Sequence, residues 1–472
     1  MVTFAIYNRQ SANCRLQIVD CGLWTADCYG ITENSKSLNM NLGSYLLKSF
    51  RLFFAIQSIL PMIVIKAKYL VQDNNHYIEN GAVAIEGAKI RKVGTFDEIR
   101  NLADNAAIID LKNTALLPGL INVHTHLDLT DSKNRIAPTN NFTHWVFQLI
   151  ALKSRWKADD TIASIKKGIA LCIACGTTTV ADIASAEHSF SVLEKSPIRK
   201  VVYKEIIGLN PAYAQKIIAK TSLELAKINA TDLYHAGISP HAPYSVSKEL
   251  YMAASQLAKE RNILICTHIA ETEDEIEFLA KGTGHLSILL QKLKAMPEGW
   301  PPPERKPIQY LYEAGVLNEK TLLIHCNYLT EEEIQLLHAS GASVAFCPKS
   351  HHFFGHKNHP LPKLLEKGVN VGLGTDSLAS NDTLDILEEM KFLHTHYSLP
   401  PKVLFSIATK NGAKALGMET TVGQLKEGFE ADMCGIRLPD NPTGSVYDQI
   451  LDSSAKNIFT MIAGAVCYHA SE

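Results

Sequence analysis

From Ile63 onward the chain alternates short apolar runs with turn signals. Ile63–Val71, Gly81–Ile85 and Ile90–Val93 are separated by Asp73-Asn-Asn and Glu86-Gly87. This pattern predicts a small antiparallel β unit over residues 62–115. Similar stretches return near the other end, at Asp432–Leu438 and at Asn457–Ile462 followed by Ala463-Gly464. They are expected to complete the same sheet. The two regions, 62–115 and 420–472, would then form one small β-sandwich beside a central domain of residues 116–419.

The central region alternates strand-like and helix-like stretches. Candidate strands are Leu120–Leu127, Thr177–Ile183, Lys200–Ile207, Ala236–His241, Ile263–Ile269, Leu322–Asn327, Ser343–Pro348 and Val369–Thr375. Helical periodicity falls between most of them, for instance over Ala158–Cys175, Lys248–Arg261 and Glu331–His338. Eight strands alternating with helices over about 300 residues predict a (β/α)8 barrel, with a doubly wound sheet as the alternative. The barrel is favoured because chemically capable residues fall at the C-terminal ends of several strands, where a barrel builds its active site.

Residues 1–61 are patterned differently. They carry Cys14, Cys21 and Cys28 among mixed polar residues, then an apolar segment from Tyr45 to Leu60 broken by Lys48, Arg51 and Gln57. Its uninterrupted run, Leu52–Ile56, is far short of the ~18 residues that span a bilayer. A peripheral amphipathic helix, a packed extension and sequence upstream of a start at Met62 are the three readings. The last is favoured because folded-domain patterning begins just after Met62.

Composition narrows the function. The 472 residues are 46% hydrophobic and 20% charged, with a formal net charge of −2. No basic stripe points to nucleic acid, and nothing points to a membrane. Ten cysteines without regular spacing make no disulfide framework. Cys172-Ile-Ala-Cys175 lies in a helix-like apolar segment with no matching pair, so both are expected to be reduced core thiols of a cytoplasmic protein.

The chemistry centres on Pro118-Gly-Leu-Ile-Asn-Val-His-Thr-His126. Positions i and i+2 of a strand point to one side, so His124 and His126 project together, about 7 Å apart along the backbone. Two imidazoles at that spacing can meet one metal ion. The fifth strand ends on His268, with Glu271 three residues on; the sixth ends on His325, and the eighth leads to Asp376. His124, His126, His268 and Asp376 form an N3O set suited to one Zn2+ or Fe2+. His394-Thr-His396 has the same spacing but lies in the helix-like run Thr383–Tyr397, where i and i+2 diverge; these two are expected at the surface.

Taken together, Pro-Gly-x-Ile-Asn-x-His-x-His, His268-x-x-Glu271, Ile324-His325-Cys326 and Gly374-Thr-Asp376-Ser-x-Ala-Ser-Asn381 resemble the amidohydrolase superfamily. Within it they look like the cytosine-deaminase-like and chlorohydrolase-like (ATZ/TRZ) group, and the likeness runs from about Met62 to the C-terminus. The resemblance implies that His124, His126, His268 and Asp376 hold a metal ion, that Glu271 moves protons, and that His325 polarises the substrate. The fourth strand offers no lysine to bridge two metals, which implies a mononuclear site. The implied reaction is hydrolytic release of ammonia from an amino-substituted heterocycle, with Asp376 counted among the catalytic groups.

Candidate substrate contacts come from loops after the strands. His241 lies in Ser239-Pro-His-Ala-Pro-Tyr244, and the related enzymes place a histidine there against the substrate. Trp145 after the first strand offers an aromatic wall. His352, in the histidine-rich stretch Lys349–His356, and Ser380, in the turn Leu378–Asn381, complete the set. Pro297–Pro303 reads as a loop or lid over the barrel. These features are most similar to deaminases of adenine-type nucleosides, including aminodeoxyfutalosine deaminase. Guanine, triazine or cyclic amide hydrolysis and chlorohydrolase chemistry are alternatives on the same scaffold. A non-catalytic scaffold is a further one, disfavoured because the ligand set is intact. The resemblance also allows a homo-oligomer. If translation starts at Met62, mass spectrometry of the natural protein recovers no peptide from before it; any such peptide refutes that start.

Overall fold

The computed structural model describes residues 62–470 except 103–105, 138, 140 and 187. Before Met62 it describes only the backbone of three antiparallel strands, Thr3–Ala5, Arg15–Val19 and Leu23–Asp27. The expectations for Tyr45–Leu60 lie outside the described residues.

Eight parallel strands form the central sheet in sequence order. They are β1 (Leu120–Thr125), β2 (Thr177–Ala184), β3 (Arg199–Ile206), β4 (Tyr234–Pro240), β5 (Leu264–Ile269), β6 (Thr321–His325), β7 (Ser343–Phe346) and β8 (Asn370–Leu373). Each overlaps the strand expected there. The helices at Ala158–Ala174, Lys248–Arg261 and Glu331–Ser340 likewise match. The alternating faces explain the packing. Ile121, Val123, Ala181, Ile183, Val201 and Tyr203 fill the barrel interior with residues of later strands. Leu323, Val344, Val371 and Leu373 face the surrounding helices instead.

The sheet closes where β8 runs beside β1. The His124 carbonyl accepts from the Thr375 and Asp376 amides at 3.0 and 3.1 Å, and Thr125 Oγ1 donates to the Asp376 carbonyl at 3.1 Å. Gly374 permits this approach: a Cβ there would lie 2.8 Å from His124 Cβ and 2.9 Å from Cys347 Sγ.

Two further sheets flank the barrel. A six-stranded sheet joins Tyr69–Val71, Tyr77–Glu79 and Thr114–Pro118 to Met433–Arg437, Lys456–Ile462 and Ala465–His469, so segments before and after the barrel share it. A four-stranded sheet holds Ile63–Lys66, Gly81–Glu86, Lys89–Thr95 and Ala107–Asp110. Ile65, Val83 and Ile109 of one pack with Leu70, Leu116 and Phe459 of the other.

Two local expectations need correction. Ile63–Val71 is not one strand. The chain leaves one sheet for the other at Ala67-Lys68, whose amides bond to the carbonyls of Gly81 and Lys112. An unbroken apolar run gives no local sign of that break. Nor is the unit purely antiparallel, because Ile63–Lys66 pairs parallel with Ala107–Asp110, and Tyr69–Val71 with Thr114–Pro118.

The barrel and the six-stranded sheet meet through a buried ion pair. Arg199 at the start of β3 reaches Asp432 with Nε at 2.7 Å and Nη2 at 3.0 Å, and Glu430 at 3.3 Å. Its Nη1 donates to the Asp232 carbonyl at 2.6 Å. Burial opposes the guanidinium charge, yet the two carboxylates hold its pKa above the ordinary value. Arg199→Ala would strand Asp432, which is 3% exposed, as an uncompensated charge. The expected loss is about 3–5 kcal/mol of stability in urea unfolding; a loss below about 1 kcal/mol would show that the pair is dispensable.

Candidate active site

Six of the expected site residues, His124, His126, His268, Glu271, His325 and Asp376, converge at the C-terminal mouth of the barrel. His124 and His126 stand with ring centroids 4.9 Å apart, and His268 is 5.0 Å from His124. His126 Nε2 lies 3.3 Å from His268 Nε2. Asp376 Oδ1 lies 3.5 Å from His124 Nε2 and 3.7 Å from His126 Nε2. Two donors bound at ~2.0–2.1 Å to one tetrahedral ion stand about 3.4 Å apart, so these separations are edges of a coordination polyhedron. Both ring nitrogens of His124 are buried without a hydrogen-bond partner. An orphaned, fully buried imidazole is costly unless something binds it. The donor set therefore fits a divalent metal ion.

The candidate donors are held from behind. His268 Nδ1 lies 3.1 Å from the His241 carbonyl, which can only accept, so Nδ1 carries the proton and Nε2 faces the centre. Asp376 Oδ2 accepts from Ser380 Oγ at 2.6 Å and Ser350 Oγ at 2.8 Å, which leaves Oδ1 toward the histidines. Burial alone would raise the Asp376 pKa. The facing imidazole of His124, with His325 and His126, holds it well below the ordinary value. Asn122 Nδ2 donates to Thr375 Oγ1 at 2.8 Å, and its Oδ1 accepts from the amides of His124 and Thr375 at 3.2 Å each.

Local backbone geometry aims the side chains. Along β1, Ile121 and Val123 face the interior, yet His124 also enters the site. A register irregularity between Asn122 and Thr125 shifts the alternation there. His325 and Asp376 have φ of +72° and +57°, left-handed values that cost a non-glycine residue about 1 kcal/mol or more. They turn each strand end inward.

Glu271 faces His325, with Oε1 3.5 Å from Nε2. Glu275 fixes its backbone, accepting from the amides of Ala270 and Glu271 at 3.0 Å each. Burial, then the charges of Asp376 and Glu275, pushes the Glu271 carboxyl well above the ordinary range. Burial likewise lowers His325 to about 3. The nitrogens of His325, His124 and His268 fall within 4.8 Å of one another, so His325 is also within reach of the centre.

A cavity of about 920 Å3 opens onto these residues. His241 and Trp145 line it as expected. The Ser245 hydroxyl donates to the Ala242 carbonyl at 3.1 Å, so His241 Nδ1 supplies the proton of its 2.7 Å bond to Ser245 Oγ. His241 Nε2 is then left as an acceptor. Trp145 donates its indole N–H to the Ala379 carbonyl at 3.0 Å and packs 5.2 Å from the Phe354 ring. Met296 and Pro297, at the edge of the expected lid, line the cavity, while Trp300 stacks on Phe278 at 4.6 Å.

Two expected substrate contacts are corrected. His352 is exposed, 5.4 Å from Phe392, and does not line the cavity. Lys349–His356 instead forms the short helix Pro348–Phe353 and the turn after it. One helical step separates His352 from His351, which turns inward to Asn327 Oδ1 at 3.0 Å. Ser380 is fully buried and donates to Asp376, so it supports that carboxylate and has no open face for substrate. The expected outliers behave as read: His394 and His396 are exposed on the helix Ile386–Tyr397, and Cys172 and Cys175 are free thiols. Sequence reasoning missed Ser350, Asn327, Ser185 and Glu205. The last two were findable, because each continues the inward alternation of its strand to the mouth.

The residues from 115 to 466 match the model of the amidohydrolase family. This chain belongs to that family. The 5'-deoxyadenosine deaminase of Methanocaldococcus jannaschii is 32% identical over 375 residues, covering 76% of this chain and 83% of that protein. The 5-methylthioadenosine/S-adenosylhomocysteine deaminase of Carboxydothermus hydrogenoformans is 32% identical over 413 residues, covering 85% and 88%. Among solved structures, Helicobacter pylori aminofutalosine deaminase in complex with methylthio-coformycin superposes with a TM-score of 0.76 at 22% identity, over 86% of this chain and 99% of that one. The last likeness speaks to the fold. With such relatives, the expectation of a hydrolase of non-peptide carbon–nitrogen bonds holds.

Ser380→Ala removes the shorter of the two hydroxyl bonds to Asp376. Metal affinity, read by competition with a chromogenic chelator, is expected to fall about 10- to 100-fold. Unchanged affinity would show that Ser380 does not support the ligand.

Proposed function

We propose that the chain is a metal-dependent deaminase of adenine-type nucleosides, with 5′-substituted adenosines, aminodeoxyfutalosine among them, as its substrate branch. The observation that carries this reading is the convergence of the four donors with the facing pair Glu271 and His325 at the end of a large, mostly apolar cavity. The names of the relatives support the substrate class. His124, His126, His268 and Asp376 would hold one Zn2+ or Fe2+. When bound, such an ion lowers the pKa of water and makes a nucleophile available at neutral pH.

The rest is done by side chains. Glu271, raised in pKa by its burial, takes the water proton and passes it to a ring nitrogen of the substrate. It then takes the remaining proton from the hydroxyl added to the attacked carbon and delivers it to the departing amine, so that the carbon–nitrogen bond breaks, ammonia leaves and that oxygen becomes the carbonyl. His325 hydrogen-bonds the group on which charge develops. His241 offers Nε2 as an acceptor to a substrate N–H or O–H. Trp145, fixed by Ala379, presents the wall against which a planar base packs.

Among the described residues no helix is long and apolar enough to cross a membrane. The seven cysteines described there are all free, which supports a reducing compartment and the cytoplasm.

Ammonia release by metal-loaded protein tests the reading, across adenosine, 5′-substituted adenosines, aminodeoxyfutalosine, guanine and cytosine. Release is expected from an adenine-type nucleoside and is lost with a chelator or in Asp376→Ala. Silence across the panel with metal bound would move the chemistry to ring opening or dehalogenation. Glu271→Gln is expected to keep its metal and lose about 10^3-fold or more in kcat; near-normal turnover would remove Glu271 from proton transfer.

A further inference from the structure

Two strands of the barrel end on polar residues that the proposed chemistry does not use. Val201 and Tyr203 of β3 point into the barrel filling. Alternation then turns Glu205 the same way, one layer higher, where it lines the cavity. The Glu205 backbone joins the β3–β4 ladder, and among the described residues its carboxyl has no hydrogen bond and no ion pair. Ala181 and Ile183 of β2 similarly lead to Ser185, which also lines the cavity.

Ser185 belongs to a fixed cluster. Its hydroxyl donates to Asp128 Oδ2 at 2.6 Å. Lys153, the last residue of the helix Phe142–Lys153, brings Nζ to 3.1 Å from the same oxygen and 2.7 Å from Ser185 Oγ. Asp128 is 1% exposed, so this ammonium is anchored from beneath while Lys153 itself lines the cavity. His126, His241 and Glu205 line the same cavity as Lys153.

The hydrogen-bonding groups select the ligand. Asp128 already offsets Lys153, and Glu205 adds a second carboxyl, which burial pushes up to about 7. A neutral group bearing hydroxyls is favoured: Glu205 accepts from one hydroxyl, and the third ammonium hydrogen of Lys153 donates to another. Leu129, Trp145, Leu149 and Leu209 add apolar wall to the same cavity, which Lys216, Lys220 and Lys294 also line.

We propose that Glu205 and Lys153, the latter positioned by Asp128 and Ser185, form a subsite that reads the sugar hydroxyls of a nucleoside whose base sits at the metal-binding end. This rests on the deaminase reading for the identity of the base, and on the cavity alone for the hydroxyls.

The test compares adenosine with 2′,3′-dideoxyadenosine in the wild type and in Glu205→Gln, a substitution that keeps shape and removes charge. Two readouts are taken, steady-state ammonia release and ligand-induced thermal shift. The wild type is expected to favour adenosine about 100-fold in kcat/KM, mainly through KM, because a site built for hydroxyls rejects an analogue lacking them. In Glu205→Gln that preference should shrink to about threefold, with a far smaller penalty on the dideoxy compound. An unchanged preference overturns the assignment. Ser185→Ala, which loosens Lys153, should weaken the preference in the same direction. If the wild type releases no ammonia from any adenine-type compound, the deaminase reading fails and the thermal shifts decide alone. A larger shift with adenosine than with the dideoxy analogue, lost in Glu205→Gln, sustains the subsite; equal shifts, or none, overturn it.

Discussion

The closure of the barrel between its first and last strands is the constraint on which the site depends. One carbonyl, that of His124, accepts from the amides of both Thr375 and Asp376. Two donor residues of the centre are thus tied together through the main chain before their side chains meet anything. Asn122 repeats the tie with its side chain, and Gly374 leaves the room for it. A change that opened this seam would move His124 and Asp376 apart together. The site geometry and the integrity of the barrel are therefore one property.

Burial sets the electrostatic character of the mouth. Imidazoles and carboxylates stand there in an environment that disfavours charge on each of them separately. His126 and His241 are both lowered to about 4, first by burial, so the rings are neutral at physiological pH and offer lone pairs. Asp376 remains ionised because several imidazoles and two serine hydroxyls face it. Glu271 lacks comparable donors on its carboxylate, and its carboxyl is pushed upward. Two acidic groups in one site are thereby pushed in opposite directions, as differing environments separate paired carboxylates elsewhere.

The cavity adds the second level of organisation. Its lining combines the imidazoles of His126, His241, His268 and His325 with apolar side chains such as Leu129, Trp145 and Leu209, and with Lys153 and Glu205. A substrate that is only a small heterocycle would leave most of the 920 Å3 unfilled. The dimensions suit a larger, substituted molecule.

Much of this was legible in the sequence because it rests on local periodicity. The eight strands showed as short apolar runs, the helices as 3.6-residue patterns, and the four donors as residues at or just past strand ends. His394 and His396 were separable from His124 and His126 by period alone. What the sequence could not decide depends on contacts between distant segments. The break at Ala67-Lys68 follows from bonds to Gly81 and Lys112, and the parallel pairings follow from where Ala107–Asp110 and Thr114–Pro118 return. A single helical step turned His351 inward and His352 to solvent. Ser380 proved to be a support because Asp376 Oδ2 lies 2.6 Å away. Asp128, Lys153, Ser185 and Glu205 come from two strands, a helix and the turn after β1, and no motif joins them. Backbone alternation is written locally and can be read locally. The meeting of side chains across the barrel is fixed only when all eight strands have closed.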